Sequence, residues 1–435
     1  MSARSAAIPG GDVASRRRVI AAGLVGNILE WYDFAVYGFF APILAPLFFP
    51  SDDPVASLIA AYGAFAAGFL VRPFGGAVFG QLGDRLGRRA ALAVSVALMA
   101  VPTTLLGLLP THAEWGMAAT IALIALRLLQ GLSVGGEYTC STVFLIEGAP
   151  PGRRGFYGCW SAAGVVAGVL IGSGFSAVLH ALLPEAAVEA WGWRVPFVSG
   201  AVLGMIGFLA RRGVPGGEAP STTGPSPVLR AFRDEWRSML RVIGFTLVDG
   251  VGFYLIFVYL ATFLIARVKV PPTEAFDINT LTMLGAFVTV PLAGALSDRV
   301  GRKPVVLFAT GALAILAWPL LWLMHHPVFL VALSGQMVLG ILMGLYYGAS
   351  TAMAAEMFPA AVRCSALSVG YNVSLAAFGG TAPMVATFLI EHTGESLSIA
   401  WYLAAAAAIT FATTWRMRET RGLALAAADG AVSQV

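Results

Sequence analysis

Charge is what this chain has least of. Asp, Glu, Lys and Arg make up 11% of its 435 residues, against about 25% in an ordinary soluble domain. A chain so poor in charge cannot cover a soluble core of its size with polar surface. Cysteine is nearly absent. Cys140, Cys159 and Cys364 lie in or beside apolar runs, suggest no disulfide framework and have no metal-ligand spacing. The five histidines, including the adjacent His325-His326, make no metal or catalytic cluster. There is no phosphate-binding loop and no nucleophile elbow, so the pattern points to neither an enzyme nor a cofactor. A net charge of +4 does not mark a nucleic-acid binder either, because the basic residues sit at the ends of apolar runs rather than on a polar domain.

Apolar sequence is what remains. Hydrophobic residues make up 58% of the chain. They fall into twelve segments near or above the roughly 20 residues that cross a bilayer. The first follows Arg16-Arg17-Arg18 and is too long for a signal-peptide core, so it reads as a retained transmembrane helix. The expected fold is an all-α integral membrane protein of twelve transmembrane helices in two pseudo-symmetric six-helix bundles. The bundles are residues 1–211 and 239–435. Between them, 212–238 is the one long polar linker, rich in Pro and Gly and ending in an amphipathic run. The Ala-rich tail after Arg421 shows no heptads.

Two repeats support the duplication. Gly80-Gln81-Leu82-Gly83-Asp84-Arg85-Leu86-Gly87-Arg88-Arg89 returns half a chain later as Gly294-Ala295-Leu296-Ser297-Asp298-Arg299-Val300-Gly301-Arg302-Lys303. Glu147-x-x-Pro150-x-x-x-Arg154 returns as Glu356-x-x-Pro359-x-x-x-Arg363. Paired halves around a midplane site are a common design of secondary transporters. Loop charge predicts orientation. Of the 27 Lys and Arg residues, only Arg194, Arg267 and Lys269 lie on loops of one parity, and only Arg72 and Arg127 fall inside spans. All the others lie on the opposite loops, which places both termini and both repeated loops in the cytoplasm.

These motifs resemble the major facilitator superfamily. The two Asp-Arg-x-Gly-Arg loops are similar to its signature after the second and eighth helices, and Arg127-x-x-Gln130-Gly131 to its fourth-helix motif. Further strings resemble the metabolite:proton symporters, whose members carry proline/betaine, citrate, 2-oxoglutarate or shikimate. They are Asn27-x-x-Glu30-Trp31-Tyr32-Asp33-Phe34, Arg72-Pro73-x-Gly75-Gly76, Gly135-Gly136-Glu137-Tyr138, Gly192-Trp193-Arg194-x-Pro196-Phe197, Phe253-Tyr254 with Tyr259-x-x-Thr262-Phe263, and Tyr371-Asn372 with Gly379-Gly380-Thr381-x-Pro383. The resemblance implies a proton-coupled importer of a small polar metabolite, an organic acid or a zwitterion, in the bacterial inner membrane. It also implies a functional monomer whose partners are substrate, protons and the lipid bilayer. The alternative on the same fold is an exporter or antiporter. Drug antiporters carry Gly-Pro in the fifth-helix motif where Gly168-Val169 stands here.

Ionisable residues inside spans cost at least a few kcal/mol and need a reason. Asn27, Glu30, Asp33 and Tyr37 recur at helical spacing on one face of the first span. Two carboxylates a turn apart in low dielectric resist full ionisation, which suits proton uptake on one side and release on the other. Arg127 offers a planar fork to a substrate carboxylate or to Asp33. Glu30, Asp33 and Arg127 are therefore the proton-coupling candidates. Arg127, Arg72, Tyr37, Asp249, Tyr254, Tyr371 and Asn372 are the substrate candidates, although Arg72-Pro73-x-Gly-Gly also reads as a packing and bend element. Glu137 reads as an interhelical hydrogen bonder. Asp84, Arg85, Arg88, Glu147, Arg154, Asp298, Arg299, Arg302, Glu356 and Arg363 form an expected cytoplasmic latch.

Overall fold

In the computed structural model the described residues are 13–76, 88–212, 227–326, 328–359 and 362–423. Among them every regular element is helical. The spans are α1 Val13–Phe48, α2 Pro54–Gly76, α3 Arg88–Leu108, α4 Met117–Glu147, α5 Arg154–Leu182 and α6, which runs Arg194–Val198 and then Gly200–Arg212. The second set is α7 Trp236–Val268, α8 Pro272–Val300, α9 Arg302–Leu323, α10 Phe329–Glu356, α11 Arg363–Thr393 and α12 Ser398–Arg416. A short helix, Pro227–Asp234, precedes α7. Ten helices are long and apolar enough to cross a membrane, and Ala97–Leu108 and Arg194–Ile206 are shorter apolar helices. With these two the count of twelve expected from the apolar runs is reached.

Local chemistry sets the helix ends. Asp53 caps α2, its carboxylate accepting from the Val55 N–H at 2.9 Å, and Pro54 occupies the first helical position, where no N–H is needed. Between α8 and α9 the backbone of Gly301 has φ +111°, a conformation that excludes ordinary side chains. The freed N–H groups of Arg302 and Lys303 are then taken by the Glu419 carboxylate at 2.8 and 2.9 Å. Small residues allow close helix approach. A Cβ at Gly131 would strike the Gly68 carbonyl, binding α4 to α2, and one at Gly168 would lie 2.6 Å from the Ile28 carbonyl, binding α5 to α1.

The first and last six spans meet at both ends of the molecule. At the end rich in basic loops, Asp298 of α8 accepts from the Gly155 and Phe156 N–H groups at the start of α5, each at 2.9 Å. At the opposite end Tyr62 and Thr262 share a 3.2 Å hydrogen bond, and Ser173 and Thr280 one of 2.8 Å. Gly38 packs on Val258, and Gly380 on the Phe69 ring. The centre is thus closed from both sides. Both α7 and α11 carry π-helical turns there, at Tyr254–Tyr259 and Leu375–Gly379, the kind of irregularity that concentrates at functional sites.

Candidate functional site

Two buried ion pairs dominate the first six spans. Asp33 of α1 meets Arg127 of α4 at 3.2 Å, with exposures of 2% and 0%. The Thr103 hydroxyl and the Gln130 amide donate to Asp33 Oδ1 at 2.6 and 2.9 Å, and Arg127 donates to Gln130 Oε1 at 2.8 Å. The guanidinium lies 4.6 Å from the Phe34 ring centre and 4.4 Å from that of Tyr37. Arg127 Nε and Nη2 have no hydrogen-bonding partner among the described residues. One turn back on α1, Glu30 meets Arg72 of α2 at 3.4 Å. The two pairs are stacked along the helix, as the i, i+3 spacing of the carboxylates requires.

Arg72 is also the bridge between halves. Its Nε donates to Asn372 Oδ1 of α11 at 3.2 Å, and Asn372 Nδ2 donates to the Gly135 carbonyl of α4 at 2.6 Å. The guanidinium sits 5.0 Å from the Phe69 ring centre and 5.6 Å from that of Trp31. Tyr254 of α7 packs edge-on against Phe69, Phe65 and Phe253. Arg72 Nη1 and the Tyr254 hydroxyl are both buried, and neither has a hydrogen-bonding partner among the described residues. A cationic donor and a phenol set in an aromatic enclosure have the chemistry to bind a carboxylate.

A second polar chamber lies between α4, α7, α10 and α11. Asp249 lines it with Tyr138, Thr142, Ser350, Thr351 and Tyr371. Asp249 accepts from the Tyr347 hydroxyl at 2.8 Å, and the rings of Tyr138 and Tyr371 stack at 4.8 Å. A carboxylate surrounded by hydroxyls and ring faces suits an ammonium group.

The basic end carries a charge network. Glu147 receives Arg363 at 2.6 Å, joining α4 to α11 across the halves. Arg302 meets Asp298 at 2.8 Å and Glu356 at 3.7 Å, and Arg154 meets Glu356 at 3.6 Å. Residues beyond α12 join in. Thr420 donates to Glu356 at 2.6 Å, and the Leu423 carbonyl accepts from Arg154 at 2.6 Å. Arg299 is exposed. Asp84 and Arg85, and the side chains of Arg88 and Glu137, lie outside the described residues.

Not every expected contact falls where the sequence suggested. The Tyr37 hydroxyl is committed to the Ala61 carbonyl at 3.0 Å, so only its ring faces Arg127. Arg72, read both as a substrate candidate and as part of a packing and bend element, is fully buried in the central network. Thr103 stands outside the quoted strings, and Trp31, Phe69 and Tyr138 were assigned no role from sequence. For Thr103 the signal is the Thr103-Thr104 pair directly after Pro102 in an apolar run. The three rings look like ordinary membrane aromatics until the helices are packed.

Residues 19–216 match the family described as "Sugar (and other) transporter", and residues 242–430 match "Major Facilitator Superfamily". The chain is 34% identical to the proline/betaine transporter of Escherichia coli strain K12, covering 98% of this chain and 88% of that one. It is also 34% identical to the citrate-proton symporter of Klebsiella pneumoniae, covering 88% and 87%. Among solved structures it resembles a proton:xylose symporter bound to 6-bromo-6-deoxy-D-glucose. That likeness has a TM-score of 0.78 and 16% identity, over 96% of this chain and 99% of that one. The xylose transporter from E. coli in a partially occluded, inward-open conformation gives 0.72 and 17%, over 94% and 100%.

Proposed function

This chain belongs to the major facilitator superfamily and, within it, to the metabolite:proton symporters, and on that premise we propose that it imports a small zwitterion bearing a carboxylate, driven by protons. The observation that carries the reading is the buried pair of unpartnered donors, Arg72 Nη1 and the Tyr254 hydroxyl, beside Glu30. The substrate carboxylate binds there, with Tyr371 and Asn372 alongside, and its cationic group turns toward Asp249. Charge balance favours a zwitterion over a multiply charged acid. Among the described residues the central charges are Arg72 and Arg127 against Glu30, Asp33 and Asp249, a net excess of one negative charge when all are ionised. Citrate would add several more in low dielectric, where repulsion between like charges is strongest. Protonation of an α1 carboxylate weakens its ion pair and releases an arginine, so proton and substrate enter together. Arg127 acts on the proton side, paired with Asp33.

Alternating access then opens one end of the closed centre at a time. The basic end faces the cytoplasm, as do both termini, and its charge network is the latch that closes the inner mouth. The protein works as a monomer in the bacterial inner membrane, needs no cofactor, and has two six-helix units, 1–211 and 239–435, joined by 212–238. The names of the relatives, proline/betaine and citrate-proton transporters, agree with a carboxylate-bearing substrate. The test is uptake into proteoliposomes under an inward proton gradient, with labelled glycine betaine, proline and citrate, and Asp33→Asn beside the wild type. Gradient-driven accumulation of a zwitterion, lost in Asp33→Asn, is expected. Accumulation of citrate alone would replace the zwitterion with an acid. Efflux under the reversed gradient without accumulation would make the protein an exporter.

A further inference from the structure

The two faces of α1 look into different places. Trp31, Phe34 and Gly38 share the face that meets the partner half or the Arg72 enclosure. Trp31 lies 5.1 Å from the Phe253 ring centre, and Gly38 abuts Val258. Gly26, Leu29, Glu30 and Asp33 recur at i, i+3, i+4 and i+7 on an adjacent face. That second face opens on a cavity of about 30 Å³ lined by α1, α3, α4 and α6, all within the first six spans. Thr103, Ser133, Gly200 and Gly204 complete its polar and small-residue lining. The glycines explain why α6 comes so close. A Cβ on Gly200 would sit 2.7 Å from Thr103 Cγ2, and one on Gly204 would strike the Ala100 methyl. A site of this size, with two carboxylates and a serine hydroxyl around it, is roomy and polar enough for a water, which needs roughly 10–15 Å³ and two to four partners.

We propose that Glu30 and Asp33 exchange the transported proton through a water in this cavity, so that the proton is relayed between two carboxylates of α1 inside the first six-helix unit. The proposal rests on the symport reading above. In the relay, the Asp33 carboxyl gives its O–H proton to the water while the water gives one of its own to the Glu30 carboxylate. The water is unchanged, and one negative charge has moved from Glu30 to Asp33. Asp33 then regains Arg127. Glu30, now neutral, loosens its hold on Arg72, whose guanidinium turns to the substrate carboxylate beside Tyr254. Among the described residues the ionisable groups around the pair are Arg127 of α4, Arg72 of α2, Tyr254 of α7, and Tyr32 and Tyr37 of α1 itself. From α3 and α6 the cavity is met by Met99, Ala100, Thr103, Gly200, Leu203 and Gly204, none of them charged.

Filling the cavity tests this. Val134→Leu and Leu203→Phe each add bulk from a lining position that takes no part in binding or ion pairing. Both variants and the wild type are reconstituted with whichever of glycine betaine, proline and citrate the wild type accumulates. Three quantities are read: accumulation under an inward proton gradient, exchange of labelled for unlabelled substrate after prolonged equilibration at one acid pH, and proton uptake by solubilised protein on substrate addition. Exchange needs no proton movement per turnover once Glu30 is protonated. The expected result is loss of accumulation and of rapid proton uptake with exchange retained, in both variants. Wild-type accumulation in both variants would overturn the relay. So would joint loss of exchange and accumulation in both while they remain monodisperse, since the cavity would then serve packing. A wild type that accumulates substrate with no proton dependence would instead overturn the symport reading.

Discussion

The Asp33–Arg127 pair lends itself to a double-mutant cycle. Both side chains are almost wholly buried, so neither charge has water to fall back on. Asp33→Asn keeps the oxygen that Thr103 and Gln130 donate to but leaves the Arg127 guanidinium with no counter-charge. Arg127→Gln leaves the reverse. Stranding one member of a buried pair costs about 3–5 kcal/mol. The ring faces of Phe34 and Tyr37 and the Gln130 carbonyl soften the loss for the stranded arginine, which places Asp33→Asn at about 3 kcal/mol, the lower end of that range. Arg127→Gln leaves a carboxylate still holding two hydrogen bonds and should cost a similar amount. The double variant buries two neutral amides that can bond to each other, so the sum of the singles should exceed the double by about 2–3 kcal/mol, near the upper end for residues in one network. The assay is unfolding of the purified proteins in mixed micelles, followed by tryptophan fluorescence. Additivity to within about 0.5 kcal/mol would refute the claim that the two charges depend on one another. Transport should be lost in all three variants even where stability recovers in the double.

Other outcomes follow from the same geometry. Tyr254→Phe removes a hydroxyl with no partner among the described residues, so stability should hold while substrate affinity falls by about 1 kcal/mol, roughly fivefold. An unchanged Kd by isothermal titration would remove Tyr254 from the site. Asp298→Asn weakens the carboxylate cap on the start of α5 and should cost about 1 kcal/mol. It should also raise the accessibility of the basic end, seen as faster labelling of Cys159 by a permeant maleimide. Labelling at the wild-type rate would show that Asp298 does not hold that end closed. The sulfurs of Cys140 on α4 and Cys364 on α11 lie 2.7 Å apart across the two halves. Oxidation with copper phenanthroline should join them and stop transport, with dithiothreitol restoring it and Cys140→Ser preventing it. Continued transport by the oxidised, cross-linked protein would show that the halves do not part there.

Much of the architecture could be read from sequence because it follows from solvation. Apolar length gives the spans, and loop charge predicts the orientation taken up in the proposed function. The repeated Asp-Arg-x-Gly-Arg strings show that the second set of helices copies the first. Glu30, Asp33 and Arg127 stood out because a membrane tolerates such residues only for cause. The pairing itself was harder to read. That Glu30 takes Arg72 while Asp33 takes Arg127 depends on the rotation of α1 against α2 and α4, which the Gly68–Gly131 and Ile28–Gly168 contacts set. Asn372 was singled out, but its bridge from Arg72 to the Gly135 carbonyl requires the two halves to be brought together. Trp31, Phe69 and Tyr138 carried no signal of their own, because aromatic residues abound in membrane helices and only packing selects which of them enclose a site.

The residues that follow α12 are tied into the fold. Glu419 caps α9, Thr420 holds Glu356, and Leu423 holds Arg154. These few residues therefore act as a drawstring around the basic end, touching α5, α9 and α10 at once, so the helices cannot spread without slackening it. A fluorophore placed at Leu423 would report that spreading directly. An affinity tag fused right after Arg418 would cut the drawstring and bias the protein before any substrate was added.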